Sequence, residues 1–166
     1  MKRYAVFGHP VLHSLSPKIH LAFAKQSGIA IEYTAIECAP GDFPGTLSSF
    51  ARSGGDGGNV TQPHKQRAAE LCNLLSARAK RAGAVNTLIR HGNGWLGDNT
   101  DGAGLVRDLM HNHGIVVTGQ AVAILGAGGA VRGILKPLLD AGAESVAVGN
   151  RTMAKAEAIA AHFSRY

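Results

Sequence analysis

Gln120-Ala121-Val122-Ala123-Ile124-Leu125 runs straight into Gly126-Ala127-Gly128-Gly129-Ala130, and this junction decides how the chain folds. An unbroken apolar run of this length reads as a strand buried in a parallel sheet. The glycines read as a tight turn, and Ala130–Ala141, closed by Gly142, reads as a helix. Ser145–Gly149 then reads as a second strand and Met153–Phe163 as a second helix. Such a βαβα run lays its strands parallel, with the helix as the crossover. A glycine turn between strand and helix is also where a dinucleotide pyrophosphate sits. Glycine lets the backbone approach closely, and the helix start presents N–H groups that no carbonyl has claimed. Gly126, Ala127, Gly128, Gly129 and Ala130 are therefore candidate cofactor contacts. Val131 stands where the Gly-x-Gly-x-x-Gly pattern has its third glycine, so a compact turn without a ligand is the competing reading.

The second strand ends in Asn150-Arg151-Thr152, and Asn150 lies 24 residues after Gly126. Sites for NAD usually place an acid here, accepting from the ribose 2′-hydroxyl. An acid would repel a 2′-phosphate, whereas Arg151 would pair with one, and Lys155 adds a second cation one turn on. Asn150, Arg151, Thr152 and Lys155 thus favour NADP over NAD. The plain alternative is a solvated helix start that carries basic residues.

Upstream the pattern changes. Tyr4–Phe7 reads as a strand ended by Gly8 and Pro10. Ser16-Pro17 reads as a helix start, with Ser16 as N-cap, running to Gln26 and stopping at Gly28. Glu32–Ile36 alternates as a strand, and Asp42 caps a helix from Phe43 to Ser53. Gly54–Gly58 reads as a loop, with Val60 in a very short strand closed by Pro63. Helical pattern covers Gln66–Leu75 and Ala77–Ala82. Val85–Arg90 and Trp95–Asp98 bracket His91-Gly92-Asn93-Gly94 as a hairpin. Thr100 or Asp101 opens a helix to Asn112, and a boundary follows near His113–Gly119.

Composition excludes several classes. The 166 residues are 45% hydrophobic with 22 glycines, enough apolar material for a core rather than a disordered chain. Net charge is +6 and the pI is near 9.7. The basic residues are scattered, with no Lys/Arg run and no interleaved aromatics. That argues against nucleic acid and fits a site for small anions. No run of about 18 apolar residues is present, so no membrane span is expected. The N-terminus lacks a signal peptide's apolar core. Cys38 and Cys72 form no disulfide framework. A cytoplasmic protein is expected. His9, His13, His111 and His113 match no zinc spacing, and no metal is expected.

Four polar clusters mark the front half: Ser14-Leu15-Ser16-Pro17, Asn59-Val60-Thr61-Gln62-Pro63-His64-Lys65, Gly83-Ala84-Val85-Asn86-Thr87 and Asp98-Asn99-Thr100-Asp101-Gly102. Each falls at a strand end or helix start, where open α/β sheets bind ligands. Hydroxyls, amides, one lysine and two carboxylates suit a polyhydroxylated acid. Singly, each has a bland reading. Ser14, Ser16 and Asp101 serve as helix caps, Asn59 and Thr61 as turn formers, and Lys65 as a solvated surface lysine.

Together with Gly126–Ala130 and Asn150-Arg151-Thr152, these clusters resemble the motifs of the shikimate dehydrogenase family, in its order, from Tyr4 to about His162. The resemblance implies reversible NADP-dependent reduction of 3-dehydroshikimate to shikimate, in aromatic amino-acid biosynthesis. It implies Lys65 and Asp101 as the catalytic pair, and substrate contacts from Ser14, Ser16, Asn59, Thr61, Lys65, Asn86 and Asp101. Oxidising a secondary alcohol needs a base for the hydroxyl proton as hydride leaves; either Lys65 or Asp101 carries it. A quinate/shikimate dehydrogenase of broader specificity and a catalytically inactive substrate-binding fragment are the alternatives. Gln62 stands where the family usually has an aliphatic residue, and Ala77 where it often has an acid.

The fold class this implies is α/β. A mixed-sheet substrate-binding domain would cover residues 1–101, a linking helix and linker 102–118, and a truncated Rossmann domain, part of a doubly wound parallel sheet, 119–166. Family members continue further, completing the nucleotide-binding sheet. The 166-residue chain alone is therefore expected to show little or no turnover, and to self-associate through an unpaired strand edge and bare apolar surface.

Overall fold

A computed structural model describes residues 1–164. The chain forms an α/β protein whose contacts divide into two compact units, one of Met1–Ser76 with Val85–Asp98, the other of Ala77–Ala84 with the chain from Asn99 onward.

The first unit contains β1 (Lys2–Gly8), α1 (Ser16–Ser27), β2 (Ile31–Glu37), α2 (Phe43–Arg52), β3 (Gly57–Val60), α3 (Lys65–Leu71), β4 (Leu74–Leu75), β5 (Thr87–His91) and β6 (Gly94–Asp98). One mixed sheet runs in the order β2-β1-β3-β5-β6-β4. β1 pairs parallel with both β2 and β3, while β5 is antiparallel to β3 and β6. Four consecutive residues, Ala5-Val6-Phe7-Gly8, are buried, so both faces of β1 are covered. On one face Phe7 meets Phe43 and Phe50 edge-on, with ring centroids 5.9 and 5.3 Å away, the arrangement aromatic quadrupoles favour. On the other, Val6 packs with Val11 and Tyr33. α1 ends at Gly28 in the left-handed conformation (φ 65°) but buries none of its side chains, leaving Ile19 and Phe23 45% and 57% exposed.

Three local expectations are corrected here. Leu15, not Ser16, is the N-cap of α1; Ser16 is the first helical residue, with its N–H and its Oγ both bonded to Ser14 Oγ, at 3.2 and 3.1 Å. β3 begins at Gly57, inside the stretch expected to be loop. A Cβ on Gly58 would come within 2.2 Å of Ala5 O, so the glycine run is what lets β3 lie against β1. The helix expected over Gln66–Leu75 stops at Leu71. Asn73 and Trp95 then exchange backbone and side-chain hydrogen bonds at 3.0 Å, which draws Leu74–Leu75 into the sheet beside β6.

The second unit contains α4 (Ala77–Ala82), α5 (Asp101–Arg107) continued by a π-helical turn (Asp108–Asn112), β7 (Ala121–Leu125), α6 (Gly129–Asp140), β8 (Ser145–Gly149) and α7 (Met153–Phe163). β7 and β8 pair parallel from Ala121↔Ser145 to Leu125↔Gly149, giving the expected βαβα run. Val131, Leu135, Ile159 and Phe163 cover one sheet face. The other face is open: burial alternates along both strands, and Leu125 is 92% exposed. The strand expected to be buried throughout is therefore half-buried on one side and exposed on the other.

The division also differs from the expected boundaries at 101 and 118. α5 packs on α6 through glycine. A Cβ on Gly102 would meet Gly133 O at 2.4 Å, and one on Gly133 would meet Asn99 Oδ1 at 2.6 Å. α4 joins the same unit, where His162 Nε2 donates to Arg81 C=O at 2.7 Å. Among the described residues no helix is long and apolar enough to cross a membrane, and no three His, Cys, Asp or Glu side chains group to hold a metal.

Candidate active site

In the first unit the predicted residues gather on adjoining loops beyond β1 and β3 and ahead of β5. Ser14 Oγ donates to Ser16 Oγ at 3.1 Å. The loop between β1 and α1 is pinned on both sides: His9 N–H donates to Gln62 C=O at 3.0 Å, and Val11 N–H to Glu37 Oε2 at 3.0 Å. The latter bond holds the Glu37 carboxyl below its ordinary pKa. Thr61 N–H donates to Phe7 C=O at 2.9 Å. Its methyl occupies space that only glycine at position 8 leaves, since a Cβ there would lie 2.5 Å from Thr61 Cγ2.

Lys65 opens α3, half-buried, and its C=O accepts from Val85 N–H at 2.8 Å. That bond ties the lysine's segment to the Gly83–Thr87 motif. Asn86 N–H donates to Asp98 C=O at 3.0 Å, and Asn86 Oδ1 accepts from Thr87 Oγ1 at 2.8 Å. Asn59 Oδ1 accepts from Tyr33 O–H at 2.6 Å, while Asn59 Nδ2 donates to Asn86 C=O at 3.3 Å. Asn59, Thr61, Lys65 and Asn86 are thus joined by direct bonds between their segments.

Beside Lys65, His64 is buried with its ring stacked on Phe43, centroids 4.5 Å apart and planes 8° from parallel. Its Nε2–H donates to Cys38 C=O at 2.9 Å. Burial pushes the His64 pKa below its ordinary value, and this neutral tautomer fits that environment. Burial also pushes the Cys38 thiol up, and the Cys72 thiol up to about 11. Both sulfurs are therefore protonated at neutral pH and poor nucleophiles.

The second unit carries the remaining candidates. Asp101 is the first residue of α5, with Thr100 at the N-cap position. Its N–H donates to Asn99 Oδ1 at 3.1 Å, and the buried Asn99 donates to Ala84 C=O at 3.0 Å. At the glycine turn, Gly126 takes φ 129°, a conformation closed to other residues, and its N–H donates to Gly149 C=O at 2.7 Å. Gly128 is the N-cap of α6, no side chain caps that end, and its first turn holds no acid. The N–H groups there remain available to an anion. Val131, at the third-glycine position, is buried with Leu135, Ile159 and Phe163, and Ile124, Ala127, Val146 and Val148 pack against that cluster. The close helix contact is made instead by Gly133, against α5.

Asn150, Arg151 and Thr152 leave the end of β8, next to the strand end that carries Gly126. Asn150 Nδ2 donates to Thr152 C=O at 2.8 Å. Arg151, Thr152 and Lys155 are exposed, and the first turn of α7 holds no acid. This donor set fits a nucleotide with an extra phosphate. Sequence reasoning missed Tyr33, His20 and the Cys38–His64 contact. Nothing in the alternation of Glu32–Ile36 sets Tyr33 apart from an ordinary core aromatic, and the partners lie 26 residues away in the chain.

A family model described as the shikimate dehydrogenase substrate binding domain matches residues 6–88, and one described as shikimate / quinate 5-dehydrogenase matches 108–166. The shikimate dehydrogenase (NADP(+)) of Xanthomonas campestris pv. campestris (strain 8004) is 56% identical over 159 residues, which are 96% of this chain and 56% of the relative. The protein of the same name from Stenotrophomonas maltophilia (strain K279a) is 54% identical over 155 residues, 93% of this chain and 55% of the relative. The crystal structure of shikimate 5-dehydrogenase from Thermus thermophilus, in complex with NADP(H) and shikimate, aligns with a TM-score of 0.89 at 40% identity. It covers 99% of this chain and 61% of that one. The chain spans about half the length of the curated relatives it matches.

Proposed function

The chain belongs to the shikimate dehydrogenase family, and on that premise we propose that the protein interconverts 3-dehydroshikimate and shikimate with NADP(H). The observation that carries this reading is the hydrogen-bonded frame of the first unit. There Ser14, Ser16, Asn59, Thr61, Lys65 and Asn86 offer hydroxyls, amides and an ammonium on adjoining loops. That set suits a small ring bearing several hydroxyls and a carboxylate. The Thermus thermophilus relative was solved with shikimate and NADP(H) bound.

In this reading Lys65 and Asp101 are the acid–base groups. When the secondary alcohol is oxidised, its hydroxyl proton passes to Lys65 or Asp101, and reduction of the ketone returns it. The serine, threonine and asparagine side chains hold the ring so that one hydroxyl is presented for proton transfer. Bound NADP supplies the acceptor for the hydride. Gly126–Ala130 and the first turn of α6 would hold its pyrophosphate, and Arg151 and Lys155 the 2′-phosphate, with Asn150 and Thr152 lining the same strand end. The reaction belongs in the cytoplasm, and neither nucleic acid nor membrane takes part in it.

The test is turnover of shikimate and of quinate, each with NADP and with NAD, in the protein as its gene encodes it. Shikimate with NADP is expected to be the preferred pair. Comparable turnover of quinate would move the reading to the broader specificity, and no turnover of either would overturn it. Lys65→Ala is expected to lower kcat at least about a hundredfold with a smaller change in substrate affinity, as loss of an acid–base group does. A variant with near-native kcat removes Lys65 from the chemistry.

A further inference from the structure

The geometry points to Tyr33 and His20 as positioning residues that lock the Asn59 amide so that it faces the substrate as a hydrogen-bond donor. This rests on the reading of Asn59 as a substrate contact.

Tyr33 lies on β2 and Asn59 on β3, with β1 between them. Tyr4 of β1 pairs with Tyr33, and Val6 with Asn59. The phenol therefore reaches across a strand to set its hydroxyl 2.6 Å from Asn59 Oδ1. Tyr33 is 6% exposed, and burial pushes its pKa far above the ordinary value, so the oxygen keeps its proton. A buried hydroxyl with a proton needs an acceptor, and the acceptor is Asn59 Oδ1.

An asparagine amide has one oxygen and two N–H donors. With the oxygen turned to Tyr33, Nδ2 turns to Asn86 C=O, 3.3 Å away. One N–H is spent there. What Asn59 has left for a ligand is the other N–H, so its partner must be an acceptor. Rotating the amide by half a turn would set N–H against the Tyr33 hydroxyl and oxygen against the Asn86 carbonyl. The two oxygens of Asn59 and Asn86 would then repel, and the buried Tyr33 proton would lose its acceptor.

His20 holds the tyrosine ring in turn. The two rings stack, with centroids 4.4 Å apart and planes 26° from parallel. His20 Nδ1 lies 3.1 Å from Ser16 C=O, and because a carbonyl only accepts, Nδ1 carries the proton. The imidazole is thereby tied to the residue whose hydroxyl is bonded to Ser14. A continuous chain of contacts runs Ser14–Ser16–His20–Tyr33–Asn59–Asn86, linking three ligand-bearing loops that are distant in sequence. In this arrangement Tyr33 and His20 act through Asn59 and Ser16, the side chains read as meeting the substrate.

The experiment is a double-mutant cycle, Tyr33→Phe and Asn59→Ala, read by steady-state kinetics with shikimate and NADP in the protein as its gene encodes it. Tyr33→Phe keeps the ring, its packing and the stack on His20. It is expected to raise the KM for shikimate about tenfold, with kcat and the KM for NADP within about twofold, as loss of one oriented polar contact does. On the Asn59→Ala background the same change is expected to add nothing, because its target is gone. An unchanged KM in Tyr33→Phe, or a full additional loss in the double variant, overturns the proposal. A wild type without shikimate turnover overturns the proposed function instead. The positioning is then decided by the Asn59 side-chain amide signals in NMR spectra. These shift on Tyr33→Phe if the hydroxyl sets the amide, and stay in place if it does not.

Discussion

In the first unit β1 is covered on both faces, whereas in the second β7 is covered on one, although its sequence is at least as apolar. Ala5, Val6, Phe7 and Gly8 are buried in succession, while Ala121, Ala123 and Leu125 are exposed in alternation. An apolar run states that a strand tolerates burial. What buries it is the number of elements available to pack on each side. β1 has strands on both edges, α2 against one face and the Val11–Tyr33 cluster against the other. β7 has one neighbouring strand, with α6 and α7 on one face. The unit with both faces covered holds the polar frame for the ring. The unit with an open face holds the glycine turn.

The strongest way to break this contrast is Phe7→Ala. Emptying the space between Phe43 and Phe50 should cost the first unit about 3–5 kcal/mol. Trp95, the chain's single tryptophan, is buried in β6 of that same unit. Its fluorescence during denaturant unfolding therefore reads the first unit's stability. A loss under about 1 kcal/mol would mean that β1 is not packed as described.

Next in size is Arg151→Ala, on the second unit. Removing a charge-assisted contact to a 2′-phosphate should weaken NADP binding about tenfold or more, equivalent to about 1.5–3 kcal/mol, with NAD nearly unchanged. The Trp95 transition should not move. Equal weakening of both cofactors in a binding titration would show that Arg151 does not read the phosphate.

A smaller effect comes from His64, whose pKa burial lowers. The folded state then prefers the neutral ring, and below about pH 6.5 the unfolded chain binds the extra proton. Stability of the first unit, read at Trp95, should be level above that pH and fall as the solution is acidified through it. His64→Phe keeps the stack on Phe43 and should flatten this fall, at some cost in overall stability from the lost bond to Cys38. An unchanged acid limb in that variant would assign it to other groups.

The smallest expected effect sharpens the comparison most. Leu125→Ser should change stability by no more than about 0.5 kcal/mol, as at an exposed site, and should reduce association of the isolated chain measured by light scattering. A cost of about 2–5 kcal/mol, the range for a core leucine, would show that the open face is covered in solution.

The order and type of the elements were legible because β1, α1, α2, the β5–β6 hairpin and the βαβα run each carry local punctuation, at Gly8, Gly28, Asp42, Gly92 and Gly126. β4 was not legible, because Leu74–Leu75 becomes a strand through long-range bonds, such as those that Asn73 makes with Trp95, 22 residues away. The open face of β7 was hidden for a related reason, since exposure depends on partners that periodicity does not report. The candidate ligands were legible as clusters. Their supports were not: Tyr33, His20 and His64 look like ordinary strand, helix and loop residues until the sheet register brings Asn59, Ser16 and Cys38 beside them.

α4 belongs to the second unit but is translated in the middle of the first. α4 leaves the ribosome well before Gly129–Asp140, the helix it packs on. The first unit, meanwhile, lacks its β5–β6 hairpin until Asp98 has been made. No single cut in the chain separates the two units. A truncation after Ser76 leaves the sheet without β5 and β6, and one after Asp98 strands α4 without a partner. Dissecting this protein into independent halves would require moving residues 77–84, by circular permutation or by relinking Ser76 to Val85, rather than choosing a better end point.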